Sequence, residues 1–289
     1  MKIELAARNY ALTLSPQLGG SIARFDWRGE PLMRRQQGAS ILDASCFPLV
    51  PFCNRIAHGE FAVGSQRIKL RPNMPDSDHP HPLHGFGWLS SWTVIEQGEA
   101  HVLLRHEHQP DLWPWRYEAE QHFLLTDGGL HHGLRLRNLG ATPMPAGLGF
   151  HPYFPRTEHT TFHGLHCGEW TTSGEGLPVS LDLQPDAKDW WRGQPVSTRS
   201  LDTVYSQRQG PLTITWPERR LGLTIEPSSG LEFTAVFAPD ATDFFCAEPS
   251  SQMTDAVNHP DVAGNGLVLL ERGEELAVSV SYHAFSTPD

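Results

Sequence analysis

Two segments far apart in the chain place a histidine and a glutamate where they could transfer protons. His151 follows the glycine-rich run "MPAGLGF" (144–150) and precedes Pro152, which favours an extended backbone at the residue before it. Glu248 follows the apolar run "FFCA" (244–247), so burial would raise its carboxyl pKa. Such a pair suits general acid–base catalysis near neutral pH. A hydrogen-bonded core histidine and a charge at an exposed strand end are the structural alternatives.

Two further segments offer groups that could hold a polar substrate. In "VPFCNRIAHGEF" (50–61), Asn54 and Arg55 follow an apolar run, and the planar guanidinium has forked donors that match neighbouring hydroxyls or a carboxylate. In "SLDTVYSQ" (200–207), Asp202 stands in a turn-prone context. A surface ion pair and an Asx turn are the respective alternatives.

The stretch "HPHPLHGFGW" (79–88) concentrates histidines between prolines and glycines. A metal site needs ligands that converge from rigid positions, and a Pro-rich loop does not enforce this, so we expect no metal here. We expect His79 and His81 to lie in a solvated loop. His84 is a candidate site residue, because the glycines that follow it allow a close approach of the backbone to a ligand and Trp88 is near.

The sequence gives no support for acyl transfer or for chemistry that uses ATP or a dinucleotide. The chain contains no GxSxG elbow, no P-loop and no GxGxxG after a strand. With 22 basic and 33 acidic residues the formal charge is −11 and no basic run occurs, which argues against nucleic acid as a partner.

No segment approaches the ~20 apolar residues of a membrane span and the N-terminus lacks a signal-peptide pattern, so we expect a cytoplasmic protein without membrane contact. The four cysteines lack CxxC spacing, which predicts reduced thiols.

The elements that must position these residues are predicted to be strands. The 26 glycines and 24 prolines separate short segments in which apolar and polar residues alternate, as turns separate strands. Residues 117–138 form two alternating runs around an Asp-Gly turn signal, and 211–227 and 275–285 repeat the period of two. We predict an all-β protein, a large antiparallel β-sandwich, as one domain over residues 1–289. A β-propeller would need a repeat of about 40 residues, and we find none.

Taken in order, the candidate segments resemble the aldose 1-epimerase (galactose mutarotase) family over nearly the full chain. The matching segments are "NRIAHGEF", "LHGFGWLSSW", "GFHPYF", "LDTVY", "FFCAEPSSQMTDAVN" and "LLERGEEL", the last with Arg272 where the family has proline. The resemblance implies a β-supersandwich with an open cleft and no metal or organic cofactor. It also implies residue roles, with His151 as general acid, Glu248 as general base, Arg55 and His84 as substrate ligands, and Asp202 as a ligand of sugar hydroxyls. Asn54, next to Arg55, is a further candidate ligand from its own segment. Trp88 and Tyr153 offer aromatic faces for the C–H side of a sugar ring, with core packing as the alternative.

The resemblance implies mutarotation of a free hexose, in which one proton leaves the anomeric hydroxyl and another reaches the ring oxygen. A hexose-6-phosphate mutarotase is an alternative, although that branch resembles "HGFAR" where this chain has "HGFGW". A non-catalytic carbohydrate-binding or sensor protein of the same fold and a metal-dependent sugar isomerase are further alternatives. The sequence does not select the sugar, and a monomer or weak homodimer is the default.

Overall fold

The computed structural model describes residues 2–288, and nearly all of its regular structure is β. Its strands are β1 (Ile3–Ala7), β2 (Tyr10–Ser15), β3 (Ser21–Trp27), β4 (Glu30–Pro31), β5 (Cys46–Leu49), β6 (Glu60–Val63), β7 (Gln66–Lys69), β8 (Thr93–Gln97), β9 (His101–His108), β10 (Tyr117–Thr126), β11 (Gly129–Asn138), β12 (Met144–Ala146), β13 (Gly149–Pro155), β14 (Thr161–Thr172), β15 (Pro178–Asp189), β16 (Leu201–Trp216), β17 (Leu221–Pro227), β18 (Phe233–Ala238), β19 (Phe244–Ser250), β20 (Val268–Leu270) and β21 (Glu275–Ser286).

Within residues 2–288, helical structure is confined to single 3₁₀ turns. These are Ile41–Asp43, Ala57–Gly59, Gly87–Leu89, Val196–Thr198, Pro217–Arg219 and Ala256–Asn258. None of the helices in residues 2–288 has the length and apolar character that crossing a membrane requires.

Seventeen of the strands are joined into one hydrogen-bonded system, while β12 pairs with β20 and β6 with β7. The hairpin predicted around the Asp-Gly signal is confirmed, since β10 and β11 pair from Tyr117 opposite Asn138 to Thr126 opposite Gly129. The alternating segments at 211–227 and 275–285 are strands as well, and β17 pairs with β21. The large antiparallel β-sandwich predicted from the sequence is therefore confirmed.

In alternating strands such as β21, successive residues are divided between core and surface. In β21, Val278, Val280 and Tyr282 are buried and their neighbours are more exposed. One extensive cluster of buried apolar side chains runs through the molecule and includes Trp113 and Trp115. The free cysteines are buried, as expected for structural thiols.

A group of five adjacent strands, β5, β13, β19, β18 and β16, brings distant segments to one sheet face. Phe47 of β5 lies opposite His151 of β13. Because Gly149 pairs with Ser250 and Tyr153 with Cys246, the register of β13 and β19 places His151 opposite Glu248. Residues directly opposite across an antiparallel pair project from the same face. The fold therefore sets the imidazole and the carboxyl side by side.

Candidate functional site

A cavity of about 150 Å³ opens over this sheet face. The side chains that line it come from the sheet and from the loops before β5, β6 and β8: Leu42, Phe47, Asn54, Arg55, Met74, His79, Leu83, His84, Trp88, His151, Tyr153, Asp202, Phe237 and Glu248. All eight residues predicted from the sequence as site residues are in this set. The cavity thus unites segments that are up to about two hundred residues apart in the chain.

At the floor of the cavity, the Nε2 atom of His151 lies 3.2 Å from the Oε1 atom of Glu248. Both residues are buried, with 7% and 3% of their surface exposed. The Nδ1 atom of His151 and the Oε2 atom of Glu248 have no hydrogen-bond partner within the protein. The buried position of Glu248 rules out a charge at an exposed strand end, and the unsatisfied atoms leave hydrogen-bonding capacity for a ligand.

Aromatic rings fix the plane of the His151 imidazole. The Phe47 ring stacks on it with centroids 4.4 Å apart, and the Tyr153 ring stacks at 4.8 Å. The His84 ring meets it edge-on at 5.1 Å. Packing against these rings restricts the imidazole to one orientation, which general acid–base catalysis requires.

Burial opposes the charged form of each member of the pair. It lowers the pKa of His151 to about 3. It raises the pKa of Glu248 well above the ordinary value, with nearby Asp202 raising it further and Arg55 lowering it. A neutral imidazole with a neutral carboxyl and an imidazolium with a carboxylate contain the same number of protons. The pair can therefore pass between these forms by moving one proton between neighbouring atoms.

Arg55 lies at the side of the cavity in a network of its own. Its Nη2 atom donates to the Oδ2 atom of Asp202 at 2.7 Å, its Nη1 atom to the Oδ1 atom of Asn54 at 3.0 Å, and its Nε atom to the Nε2 atom of His79 at 3.3 Å. Gly176 packs against the guanidinium, where a Cβ atom would lie 2.6 Å from Cζ. Asp202 is in strand β16 and not in an Asx turn.

His84 owes its position to an unusual backbone. Its φ is +59°, its N–H donates to the carbonyl of Asn54, and its carbonyl accepts from the N–H of Val50. A Cβ atom on Gly85 would lie only 2.0 Å from the carbonyl oxygen of Val50. The expectation that glycine here admits a ligand is wrong, because Gly85 admits the neighbouring backbone segment that holds His84 in place.

The three histidines of the 79–88 segment point in different directions. His84 faces the cavity, while His79 is half-buried beside Arg55. The expectation that His81 lies in a solvated loop is wrong, because its side chain is fully buried and its Nδ1 atom accepts the backbone N–H of His58. His79 was not assigned to the site from the sequence, although it lies within the quoted motif.

Trp88 and Tyr153 form walls of the cavity. The indole Nε1–H of Trp88 is shared between the carbonyls of Leu83 and Gly85, so only ring surface faces a ligand. Tyr153 is 5% exposed and lies under the guanidinium of Arg34, whose Cζ atom is 4.0 Å from the ring centroid. Phe47 and Phe237 also line the cavity and were missed, since nothing in their local sequence distinguishes them from core residues.

Beside the pair lies a thiol. The side-chain ligand atoms of His151, Cys246 and Glu248 all lie within 4.8 Å of one another, and in residues 2–288 this is the one group of three such side chains with metal-binding proximity. Cys246 is two residues before Glu248 on β19, so both side chains project from the same face.

The chain is similar to known proteins over nearly its whole length. The model of the family described as aldose 1-epimerase matches residues 1–283. The uncharacterized protein YphB of Escherichia coli (strain K12) is 31% identical over 273 residues, covering 91% of this chain and 92% of the relative.

Solved structures share the fold over the same length. One from Escherichia coli K12 has a TM-score of 0.89 at 28% identity and covers 99% of each chain. A galactose mutarotase-like protein from Clostridium acetobutylicum has a TM-score of 0.86 at 17% identity, covering 99% of this chain and 95% of the other. Since the family model spans almost the entire sequence and the fold agrees, the chain belongs to the aldose 1-epimerase family.

Proposed function

We propose that the protein is an aldose 1-epimerase that interconverts the α and β anomers of a free hexose by acid–base ring opening and closure. The observation that carries this proposal is the contact of 3.2 Å between the imidazole of His151 and the carboxyl of Glu248, both facing one cavity. The two oxygens that exchange protons in mutarotation are bonded to the same carbon. The groups that serve them must therefore be neighbours, as these are.

In the proposed reaction, the Glu248 carboxylate accepts the proton of the anomeric hydroxyl while His151 donates its Nε2 proton to the ring oxygen. The C1–O5 bond breaks and the C1–O1 bond becomes a carbonyl. Rotation about C1–C2 presents the other carbonyl face, and the reverse proton transfers close the ring. Each positioned group typically contributes ~10²–10⁴-fold to the rate.

The pKa shifts indicate how the sugar prepares the pair. Burial favours neutral Glu248 and neutral His151. A sugar hydroxyl that donates to the carboxylate favours the ion pair, because hydrogen bonds to the charged form lower a carboxyl pKa. The proton then moves from Glu248 to His151, so substrate binding itself creates the base and the acid.

The walls of the cavity suit the rest of a hexose. Arg55, Asp202 and His79 supply donors and acceptors for ring hydroxyls, and Asn54 holds Arg55 in place. Phe47, Trp88 and Phe237 offer apolar surface to the C–H side of a sugar ring. His84 lies beside the imidazole of His151, where it can bind a hydroxyl near the reacting carbon.

An unphosphorylated sugar is favoured by the charge of the lining. Among the described residues that line the cavity, Arg55 is the one lysine or arginine, and Asp202 already neutralises it at 2.7 Å. A phosphate group binds best to an uncompensated guanidinium or ammonium group.

The single domain, the cytoplasmic location and the monomer or weak homodimer stay predictions.

Polarimetry tests the proposal directly. Freshly dissolved α-glucose, α-galactose and α-glucose 6-phosphate are followed by optical rotation with and without the protein, each at the same pH and buffer concentration. We expect faster decay for at least one free hexose and a smaller acceleration for the phosphate ester. Sugar binding without acceleration would indicate the non-catalytic alternative, and faster decay of the phosphate ester would reverse the choice of substrate.

A further inference from the structure

We propose that His151, Cys246 and Glu248 form a binding site for a thiophilic divalent cation such as Zn²⁺, which blocks the sugar site reversibly. The imidazole nitrogen, the thiol sulfur and a carboxyl oxygen lie within 4.8 Å of one another. These are three of the ligand types that zinc uses in proteins, and three protein ligands leave the fourth position of a tetrahedral site open to water. The competition with sugar rests on the proposed function, but metal binding does not.

The surroundings of the three groups also point to a ligand. Glu248 is 3% exposed, and its Oε2 atom has no hydrogen-bond partner within the protein. Cys246 is fully buried and is a free thiol. The cavity gives a small cation access to His151 and Glu248, which line it, whereas Cys246 does not line it.

The arrangement is fixed by the sheet and not by a loop. Cys246 and Glu248 are alternate residues of β19, and His151 lies on the paired strand β13. Rigid ligands lower the entropy cost of coordination. Binding releases one proton from the thiol and one from the His151–Glu248 pair, which leaves a thiolate, a neutral imidazole and a carboxylate around the cation.

The bound cation would inhibit the proposed mutarotation. A metal ion bound to the imidazole of His151 and to the carboxylate of Glu248 occupies the two groups that exchange protons with the sugar. The cation and the sugar therefore exclude each other, and the affinity of one falls as the concentration of the other rises.

Co²⁺ alone is the probe for the site, because a thiolate bound to Co²⁺ gives a charge-transfer absorption that water, imidazole and carboxylate do not. We expect one equivalent of Co²⁺ to produce this band in the wild-type protein and Zn²⁺ to abolish it. Cys246→Ser should remove the band and weaken Co²⁺ binding in calorimetry by at least ~10-fold, the lower end of losses seen even for outer-shell changes. Cys167→Ser is the matched control, since Cys167 is a buried thiol on β14 in contact with Gln209, and it should keep the band.

Absence of the thiolate band in the wild-type protein would overturn the metal site, whatever the variants do. Retention of the band in Cys246→Ser would overturn it as well. If Cys246→Ser does not fold, Glu248→Gln serves instead and should weaken Co²⁺ binding by at least ~10-fold. Where polarimetry shows mutarotation, Zn²⁺ should inhibit it and added hexose should relieve the inhibition. A protein that binds Co²⁺ through sulfur yet accelerates no sugar would refute the proposed function and leave the metal site standing.

Discussion

Two buried histidines of this protein each stack on a phenylalanine of a neighbouring strand but have different hydrogen-bonding partners. His151 stacks on Phe47 across strands β5 and β13, with ring centroids 4.4 Å apart. His132 stacks on Phe123 across β10 and β11, with centroids 4.2 Å apart. Burial lowers the pKa of both to about 3. Neither the stacking nor the burial therefore distinguishes the candidate site from the core.

The partner atom makes the difference. The Nε2 atom of His132 lies 2.9 Å from the carboxamide Oε1 of Gln121, whose Nε2 atom donates to the carbonyl of Gly20. The Nε2 atom of His151 lies 3.2 Å from a carboxyl that faces a cavity. A carboxamide does not gain or lose a proton near neutral pH, whereas a carboxyl group can act as a proton donor or acceptor. A buried histidine becomes a candidate for chemistry when its partner can titrate and its environment admits a ligand.

The most severe way to break this distinction is Glu248→Gln, which gives His151 a carboxamide partner like that of His132. We expect the mutarotation rate to fall by ~10²–10⁴-fold, the usual contribution of a positioned acid or base. The fold should survive, because glutamine has the size and shape of glutamate. Polarimetry measures the rate and thermal unfolding controls for the fold. A variant that keeps more than about a tenth of the wild-type rate would refute the role of Glu248.

The complementary change is His132→Asn, which removes the core imidazole. It deletes the stacking on Phe123 and leaves a small cavity, so we expect the free energy of unfolding to fall by ~1–3 kcal/mol. The rate per folded molecule should not change, because His132 does not line the cavity. Denaturant unfolding and polarimetry on the same samples measure both quantities. A loss of rate without a loss of stability would contradict the purely structural role of His132.

A smaller effect is expected from Arg55→Lys. The ammonium cannot reproduce three separate contacts to Asp202, Asn54 and His79. We expect KM to rise by about 10-fold, equivalent to ~1.4 kcal/mol, with a smaller change in kcat. Initial rates over a range of hexose concentrations separate the two constants. A fall in kcat alone would place Arg55 in the chemistry and not in binding.

The last prediction concerns the acid side of the stability curve and not the rate. The folded pKa of His132, about 3, is below the ordinary 6.5, so the stability it contributes is complete above pH ~6.5 and is lost as pH falls toward 3. His132→Asn should therefore reduce the slope of unfolding free energy against pH in this range by at most ~1.4 kcal/mol per pH unit. Urea unfolding at several pH values measures the slope. An unchanged slope would mean that His132 is not held neutral.

Much of the fold was predictable because strand alternation and turn chemistry are local signals. The Asp127–Gly128 turn and the alternation of 275–285 fix a hairpin and a strand without reference to the rest of the chain. His151 and Glu248 were found because proline and an apolar run flank them. Their contact depends on the register between β13 and β19, which the local sequence does not specify.

The failures have the same physical origin. His81 resembles a loop residue in sequence, but it is fully buried and accepts the backbone N–H of His58, which is 23 residues away in the chain. Gly85 was expected to serve a ligand, but its neighbour is the backbone of Val50. Phe47 owes its contact with His151 to pairing across β5 and β13. Such long-range contacts are decided by tertiary packing.

The most direct test of the account is whether His151 and Glu248 act as one unit. Magnetization transfer between the α and β anomeric protons at equilibrium gives the exchange rate in the wild-type protein, in His151→Asn, in Glu248→Gln and in the double variant. We predict that each single change costs about as much as both together, because a proton shuttle fails when either member is missing. Losses that multiply in the double variant, or a single variant with wild-type exchange, would contradict the account.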